Sequence, residues 1–360
     1  MMKAFRFTKA RTLALVAAVV LTTVALAATA TQEGVWEIGP RMLPASVDVS
    51  DVMRESLLNT PAPDVEAARN FVPETIEQWK ALISERGERA AAGARALANG
   101  LSVVVEQESI DGVNVHRVTP AEIDPRHENH LFVYLHGGAY LFNGGEAGTA
   151  EAVLIAARAK MLVLSVDYRM PPDHPAPAAI NDVVAVWENL LNSRPATSLA
   201  LGGTSAGGGL TMASVHRFKE LDLDLPGALY LGTPGSDVNK VGDSRYIMEG
   251  IDRLLVAWDA GGAQGMSMYA ADYDHNHPYV SPIYGDFEGF PPSYVISGTR
   301  DLMLSDAVRT HRKLRAAGVD ADLHVYEGQS HGDYAAVPNS PESHEHYAEL
   351  NAFLLKHLER

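Results

Sequence analysis

From residue 131 onward, the sequence alternates between short apolar segments and segments with helical periodicity, and this alternation restricts the possible folds more than any other feature. The apolar segments predict strands at 131–135, 161–166, 199–201, 228–231, 293–297 and 321–326. Helical periodicity is present at 178–191, 207–220, 305–317 and 343–358. Strands that alternate with helices predict an α/β fold with a mostly parallel central sheet and helices on both faces.

The sheet is expected to open with an antiparallel pair of strands. The segments 102–105 and 113–118 flank Asp111-Gly112. An Asp-Gly pair between apolar segments is typical of a two-residue hairpin turn. The predicted sheet is therefore antiparallel at its start and parallel afterwards.

Residues 61–99 have helical periodicity, and Asp64 is suited to cap a helix. Because this part precedes the first strand, we predict a helical cap segment over 31–100 and the main α/β domain over 101–360. Within that domain, the stretch 234–284 interrupts the alternation with Gly, Met and aromatic residues. It is predicted to be a lid insertion.

The first thirty residues, 1–30, have the three parts of a secretory signal peptide. A basic start is followed by an apolar run over 13–28 and by small residues. Cleavage is expected near Ala28 or Ala30, with the mature chain in a bacterial periplasm or the medium and without a membrane span. An uncleaved N-terminal anchor is the alternative, although the run is short for a hydrocarbon core of about 30 Å.

Composition excludes several classes of function. With 29 basic and 45 acidic residues the formal net charge is −16, which argues against a nucleic-acid partner. The absence of cysteine excludes thiol catalysis, iron–sulfur clusters and cysteine-ligated zinc. Histidines recur at 274–277 and 344–346, and a metal site is the alternative for each run. On a helix, residues two apart point to different sides, so the pair at 344–346 cannot easily converge on one ion. Both runs are expected at the surface, and no metal or cofactor is predicted.

A glycine-rich turn, 203–207, lies between a predicted strand and a predicted helix. A nucleophilic serine on such a turn has a strained backbone and needs small neighbours, which Gly203 and Gly207 provide around Ser205. A phosphate-binding loop is the alternative. The turn contains no lysine at the position that a P-loop requires, and it lacks the dinucleotide-binding spacing.

A second glycine-containing loop, His136-Gly137-Gly138-Ala139, follows the strand predicted at 131–135. Two glycines directly after a strand let backbone amides turn toward a ligand oxygen, as an oxyanion hole requires. His136 is expected to hold this loop by hydrogen bonds, with a metal ligand as the alternative.

Together the two loops resemble those of the hormone-sensitive-lipase-like branch of the α/β-hydrolase superfamily, which comprises bacterial family IV esterases and lipases. That branch has His-Gly-Gly-Gly and Gly-Asp-Ser-Ala-Gly-Gly, and the resemblance extends over about 101–360. The chain departs from the family pattern at Ala139, Thr204, Asp173 and Asp333. The resemblance implies an α/β-hydrolase fold with a helical cap and a catalytic domain over 101–360.

The family order of serine, acid and histidine implies that both partners of Ser205 follow it in the chain. Asp301 comes directly after the strand predicted at 293–297, and Asp306 is its rival. Asp306 is expected in the first turn of the next helix, where the dipole favours an acid anyway. His331, in Gly328-Gln-Ser-His-Gly332, matches the family's histidine loop.

The resemblance implies a serine carboxylesterase that uses Ser205, His331 and Asp301 on short- to medium-chain esters. The backbone amides of Gly137, Gly138 and Ala206 would bind the oxyanion. The residues expected to contact substrate are Tyr140, Thr204, Tyr246, Leu254 and Trp258.

Other functions stay open at this point. A lactone hydrolase would use the same triad, as would an amidase or peptidase, and a silent hydrolase-fold binding protein is the non-enzyme alternative. The expected partner is a small ester or lactone. The oligomeric state is open, with a homodimer as one alternative.

Overall fold

The computed structural model describes residue 39 and residues 42–359, so the predicted signal peptide lies outside the described residues. The chain divides into two compact units, Met1–Pro44 and Ala45–Arg360. Of the first unit only residues 39 and 42–44 are described. The architecture below is that of the second unit.

The second unit is built on one sheet of eight strands in the order β1-β2-β4-β3-β5-β6-β7-β8. The pairs β1–β2 and β2–β4 are antiparallel, and all other neighbouring strands are parallel. The strands are β1 Val104–Ile110, β2 Val113–Thr119, β3 Leu131–Leu135, β4 Leu162–Val166, β5 Leu199–Thr204, β6 Ala228–Gly232, β7 Ser293–Gly298 and β8 Ala321–Tyr326. The predicted α/β fold with a mostly parallel sheet is confirmed.

The opening hairpin forms at the predicted turn, but its first strand is shifted. Asp111 and Gly112 both have positive φ, 48° and 84°, and join Ile110 to its partner Val113. The strand expected at 102–105 instead begins at Val104, because the preceding helix extends to Leu101 and ends on a left-handed Ser102. Because this helix is longer than predicted, β1 begins two residues later than the predicted strand.

Eleven α-helices are found in the part of the chain that the structure describes. They are α1 Asp51–Asn59, α2 Val65–Asn70, α3 Ile76–Leu101, α4 Ala150–Ala159, α5 Ala178–Leu191, α6 Ala206–Glu220, α7 Ser244–Ile247, α8 Gly261–Ala270, α9 Leu304–Ala316, α10 Asp333–Ala336 and α11 Pro341–His357. Asp64 caps α2 as expected, accepting from the Ala67 amide at 2.9 Å. None of the helices among the described residues is long and apolar enough to cross a membrane.

The sheet separates two apolar layers, because successive side chains of a strand point to opposite faces. In β3, for example, Leu131, Val133 and Leu135 pack on the layer formed with α5, α6 and α9. Phe132 and Tyr134 pack on the layer formed with α4 and α11. Trp258, Met266 and Tyr269, from the predicted lid insertion, join the first layer. Because β3 to β8 are parallel, their carboxyl ends all lie at one edge of the sheet.

Candidate active site

The predicted nucleophile lies on a strained turn between β5 and α6. Ser205 has φ 61° and ψ −121°, and such strain persists only where the surroundings enforce it. A Cβ at either Gly203 or Gly207 would collide with the Leu135 carbonyl at the end of β3. Glycine at both positions therefore lets the turn pack tightly on the neighbouring strand.

Asp301 and His331 meet at the ends of β7 and β8. The Nδ1–H of His331 donates to Asp301 Oδ1 at 3.0 Å, a tautomer that we assign because a carboxylate can only accept. Asp301 is fully buried and also accepts from the Ser297 hydroxyl at 2.7 Å and the Met303 amide at 2.8 Å. These bonds fix the carboxylate that orients the imidazole.

The charge around His331 favours its protonated form. Burial acts to lower the pKa of the imidazole, but the negative charge and hydrogen bond of Asp301, together with Asp252 and Asp333, outweigh burial and raise that pKa above its ordinary value. An imidazolium formed here is thus electrostatically stabilised.

The histidine loop, residues 327–334, lies against the serine turn, residues 203–207. The hydroxyl of Tyr334, three residues after His331, is 3.0 Å from the Thr204 hydroxyl, one residue before Ser205. His331 Nε2 is buried and has no hydrogen-bond partner among the described residues, Ser205 included. In unliganded sites such bonds are often long and tighten when substrate binds. The structure brings Asp301 and His331 together and sets their loop beside Ser205, without a direct Ser205–His331 hydrogen bond.

Asp306, the rival acid, has a different partner. Its carboxylate pairs with Arg245, with 2.5 Å between Oδ2 and Nη2, and both side chains are fully buried. It also accepts from the Ser236 amide at 3.1 Å. The geometry therefore favours Asp301 as the partner of His331.

The loop after β3 approaches the serine closely. A Cβ on Gly137 would lie 2.8 Å from the Thr204 carbonyl oxygen and 3.2 Å from Ser205 Cβ. Gly138 has φ +123°, and Ala139, at the family's third glycine, adopts a positive φ of 53°. The Gly137 and Gly138 amides donate to no protein acceptor among the described residues, and Ala206, first in α6, lacks an intrahelical acceptor. All three amides are available to an oxyanion.

His136 holds this loop, as expected. Its Nδ1–H donates to the Gly137 carbonyl at 2.8 Å, and its ring stacks on Tyr168 at 4.2 Å between centroids. The Tyr168 hydroxyl donates to the His136 carbonyl at 2.6 Å. These contacts hold one side of the imidazole, while the buried Nε2 has no hydrogen-bond partner among the described residues.

Sequence reasoning missed a buried carboxylate beneath the serine turn. Glu151, on α4, accepts from the hydroxyls of Thr204 at 2.9 Å and of Tyr230 and Tyr134 at 2.7 Å each. Burial raises the pKa of the Glu151 carboxyl despite these three bonds. Where the family has an acid before the serine, this chain has Thr204, and its hydroxyl is anchored on Glu151. The one available signal was an acid within the otherwise apolar run 150–157.

Comparison with known proteins identifies the family. Residues 132–335 match a family model for the alpha/beta hydrolase fold. The chain belongs to the α/β-hydrolase family. The acetyl-hydrolase of Streptomyces hygroscopicus is 29% identical over 247 residues, which cover 68% of this chain and 82% of that protein.

Solved structures of hydrolases agree with this assignment. Esterase E25 superposes with a TM-score of 0.89 at 53% identity, covering 90% of this chain and 99% of that one. An esterase of the bacterial hormone-sensitive lipase family superposes with a TM-score of 0.68 at 26% identity, covering 83% and 99%. The predicted hormone-sensitive-lipase-like branch and a carboxylesterase-type hydrolase are confirmed.

The residues predicted to line the substrate pocket of this hydrolase have varied surroundings. Tyr246 and Leu254 are each 60% exposed. Tyr140 is buried and stacks on Tyr269, and Trp258 is buried under the Arg245 guanidinium at 3.6 Å from its ring centroid. The Thr204 hydroxyl bonds to Glu151. Substrate contact by these five residues stays a prediction.

One of the two histidine runs in this hydrolase departs from expectation. His275 is exposed and His277 half-buried, but His346, expected at the surface, is fully buried between Tyr230 and Tyr294. Residues two apart on α11 point to different sides, so His344 faces outward and His346 inward. Within the described residues, no group of three or more His, Asp and Glu side chains could hold a metal ion.

Proposed function

We propose that this protein hydrolyses short- to medium-chain carboxylic esters through a Ser205–His331–Asp301 triad. The observation that carries the proposal is the buried His331–Asp301 hydrogen bond on a loop that packs against the serine turn. Relatives named esterase and acetyl-hydrolase support the class of substrate.

In the proposed mechanism, His331 Nε2 takes the proton of Ser205 as Oγ attacks the ester carbonyl. Asp301 keeps Nδ1 protonated and stabilises the imidazolium. The amides of Gly137, Gly138 and Ala206 bind the oxyanion. His331 then protonates the departing alcohol. Water, deprotonated by His331, attacks the acyl-enzyme, and His331 returns the proton to Ser205 Oγ as the acid leaves.

The test is steady-state hydrolysis of p-nitrophenyl esters from acetate to dodecanoate by wild type and Ser205→Ala. We expect kcat/KM to be highest for the shorter chains and to fall by several orders of magnitude in Ser205→Ala. A lactone and an anilide in the same assay test the lactonase and amidase alternatives. Near-wild-type ester hydrolysis by Ser205→Ala would contradict the mechanism.

We also propose that the enzyme is exported after cleavage near Ala28 or Ala30. The basic start, apolar run and small residues at the N-terminus support this proposal. N-terminal sequencing of the secreted protein should show that the mature chain begins within a few residues of these positions. Soluble cytosolic protein that retains Met1 would contradict it.

A further inference from the structure

Two consecutive residues of the stretch 234–284, Asp252 and Arg253, bind the loops that carry Asp301 and His331. Neither belongs to a sequence motif that pointed to the site. Asp252 is fully buried, and the Arg253 side chain is 12% exposed. Their contacts go to residues next to the acid and next to the base.

Asp252 holds the acid loop, residues 299–303, which joins β7 to α9. Its Oδ2 accepts from the amide of Leu302, directly after Asp301, at 2.8 Å. Its Oδ1 accepts from the amides of Leu254 and Leu255 at 2.9 and 3.0 Å. One carboxylate thus ties its own turn to the backbone of the acid loop.

Arg253 holds the histidine loop. Its amide donates to the Ser330 hydroxyl at 3.2 Å, and Nε and Nη2 donate to Asp333 Oδ1 at 2.9 and 2.7 Å. The other oxygen of Asp333 accepts from the Ser330 amide at 2.7 Å. Asp333 stands where the family has an aromatic residue, and here that departure provides the anchor for a guanidinium.

Arg253 also reaches the N-terminal helices. Its Nη1 donates to the hydroxyls of Ser56, on α1, and Thr60, which follows α1, at 3.0 Å each. One guanidinium therefore connects α1 to the histidine loop. A lysine could not reproduce this arrangement, because an ammonium is a point charge without the planar fork of arginine.

We propose that Asp252 and Arg253 are positioning residues that together form a clamp. The clamp holds Asp301 and His331 in the correct position relative to Ser205 and connects His331 to α1. This inference rests on the proposed triad. Residues that hold a reacting group within a fraction of an ångström contribute strongly to rate, since a small displacement costs much of the catalytic advantage.

The charges around His331 agree with this role. The negative charges of Asp301, Asp252 and Asp333 all raise the pKa of the imidazole. The charge of His331 in turn acts to lower the pKa of Glu151. Arg253 pairs with Asp333 at 2.7 Å, so the clamp holds in place one of the carboxylates that act on the base. A purely structural ion pair would affect stability without changing the reactivity of folded enzyme.

The test is the rate at which a fluorophosphonate labels Ser205, because this reaction needs the serine and its base but little substrate binding. In Arg253→Met, we expect labelling and kcat on p-nitrophenyl acetate to fall roughly 10- to 100-fold, with KM within about twofold of wild type. Arg253→Lys should recover part of the loss. Arg117→Met is the matched control, because Arg117 forms a similar two-nitrogen pair with Glu108 at the opposite edge of the sheet.

Circular dichroism gives the folded fraction, so each rate is expressed per folded molecule. Unchanged labelling in folded Arg253→Met, with only a lower Tm, would overturn the clamp and leave the triad standing. A wild-type enzyme that is not labelled at Ser205 would overturn the triad and the clamp together. If Arg253→Met does not fold, Ser56→Ala/Thr60→Val replaces it: slower labelling supports the coupling to α1, and the wild-type rate overturns it.

Discussion

At the scale of single residues, the site depends on how carboxylates are distributed around one imidazole. Asp301 bonds to His331 directly, while Asp252 and Asp333 act on it through their charge. Burial alone would lower the pKa of His331, so its raised pKa reflects the charged neighbours. In the proposed mechanism, the same neighbours would stabilise the imidazolium formed when Ser205 loses its proton.

The pH dependence of catalysis should follow from this raised pKa. His331 works as a base only when neutral, so kcat/KM should rise with pH and reach half its plateau above the ordinary histidine value of about 6.5. In Asp301→Asn, the plateau should fall on the order of 10³- to 10⁴-fold and the midpoint should move to lower pH. A pH series with p-nitrophenyl butyrate measures both. A wild-type midpoint below that of free histidine would contradict this account.

At the scale of elements, local sequence rules predicted those features that depend on neighbouring residues. The serine turn, the hairpin at Asp111-Gly112 and the cap at Asp64 all follow from short-range backbone geometry. Helix α4 was not predicted, because most of its residues are buried and it lacks a polar face. Glu151 and Arg253 were missed for another reason: their partners lie 53 and 80 residues away, and no local pattern encodes such contacts.

Two glycines should respond in opposite directions to the same substitution. Gly203→Ala places a methyl group against the Leu135 carbonyl. The substitution should lower the free energy of unfolding by about 1–3 kcal/mol or more. Gly93→Ala, in α3, meets no atom within 4 Å and should raise it by about 0.5–1 kcal/mol. Urea unfolding measures both. A Gly203→Ala enzyme as stable as wild type would show that the turn is not tightly packed.

At the scale of the whole molecule, buried charge joins the stretch between β6 and β7 to the main domain. Arg245 is fully buried, pairs with Asp306 on α9 and donates to the carbonyls of Asp237 and Asn239 at 2.6 and 2.8 Å. Such a network leaves no charge unsatisfied, but it makes either partner costly to remove. The stretch is therefore fixed to α9 of the main domain.

Arg245→Met should destabilise the protein by about 3–5 kcal/mol, because it leaves the Asp306 carboxylate buried without its cation. Arg89→Met is the control, since Arg89 pairs with Glu85 on the exposed surface of α3, and its loss should cost less than about 1 kcal/mol. Urea unfolding at neutral pH compares them. Equal losses in the two variants would contradict the importance of the buried pair.

The most direct test of the triad is to locate the site of fluorophosphonate attachment by mass spectrometry of the intact and digested protein. The account predicts one adduct per chain, on the peptide that contains Ser205, and none in Ser205→Ala. It also predicts that His331→Ala labels far more slowly than wild type. An adduct on another residue, or equally fast labelling in His331→Ala, would contradict the proposed mechanism.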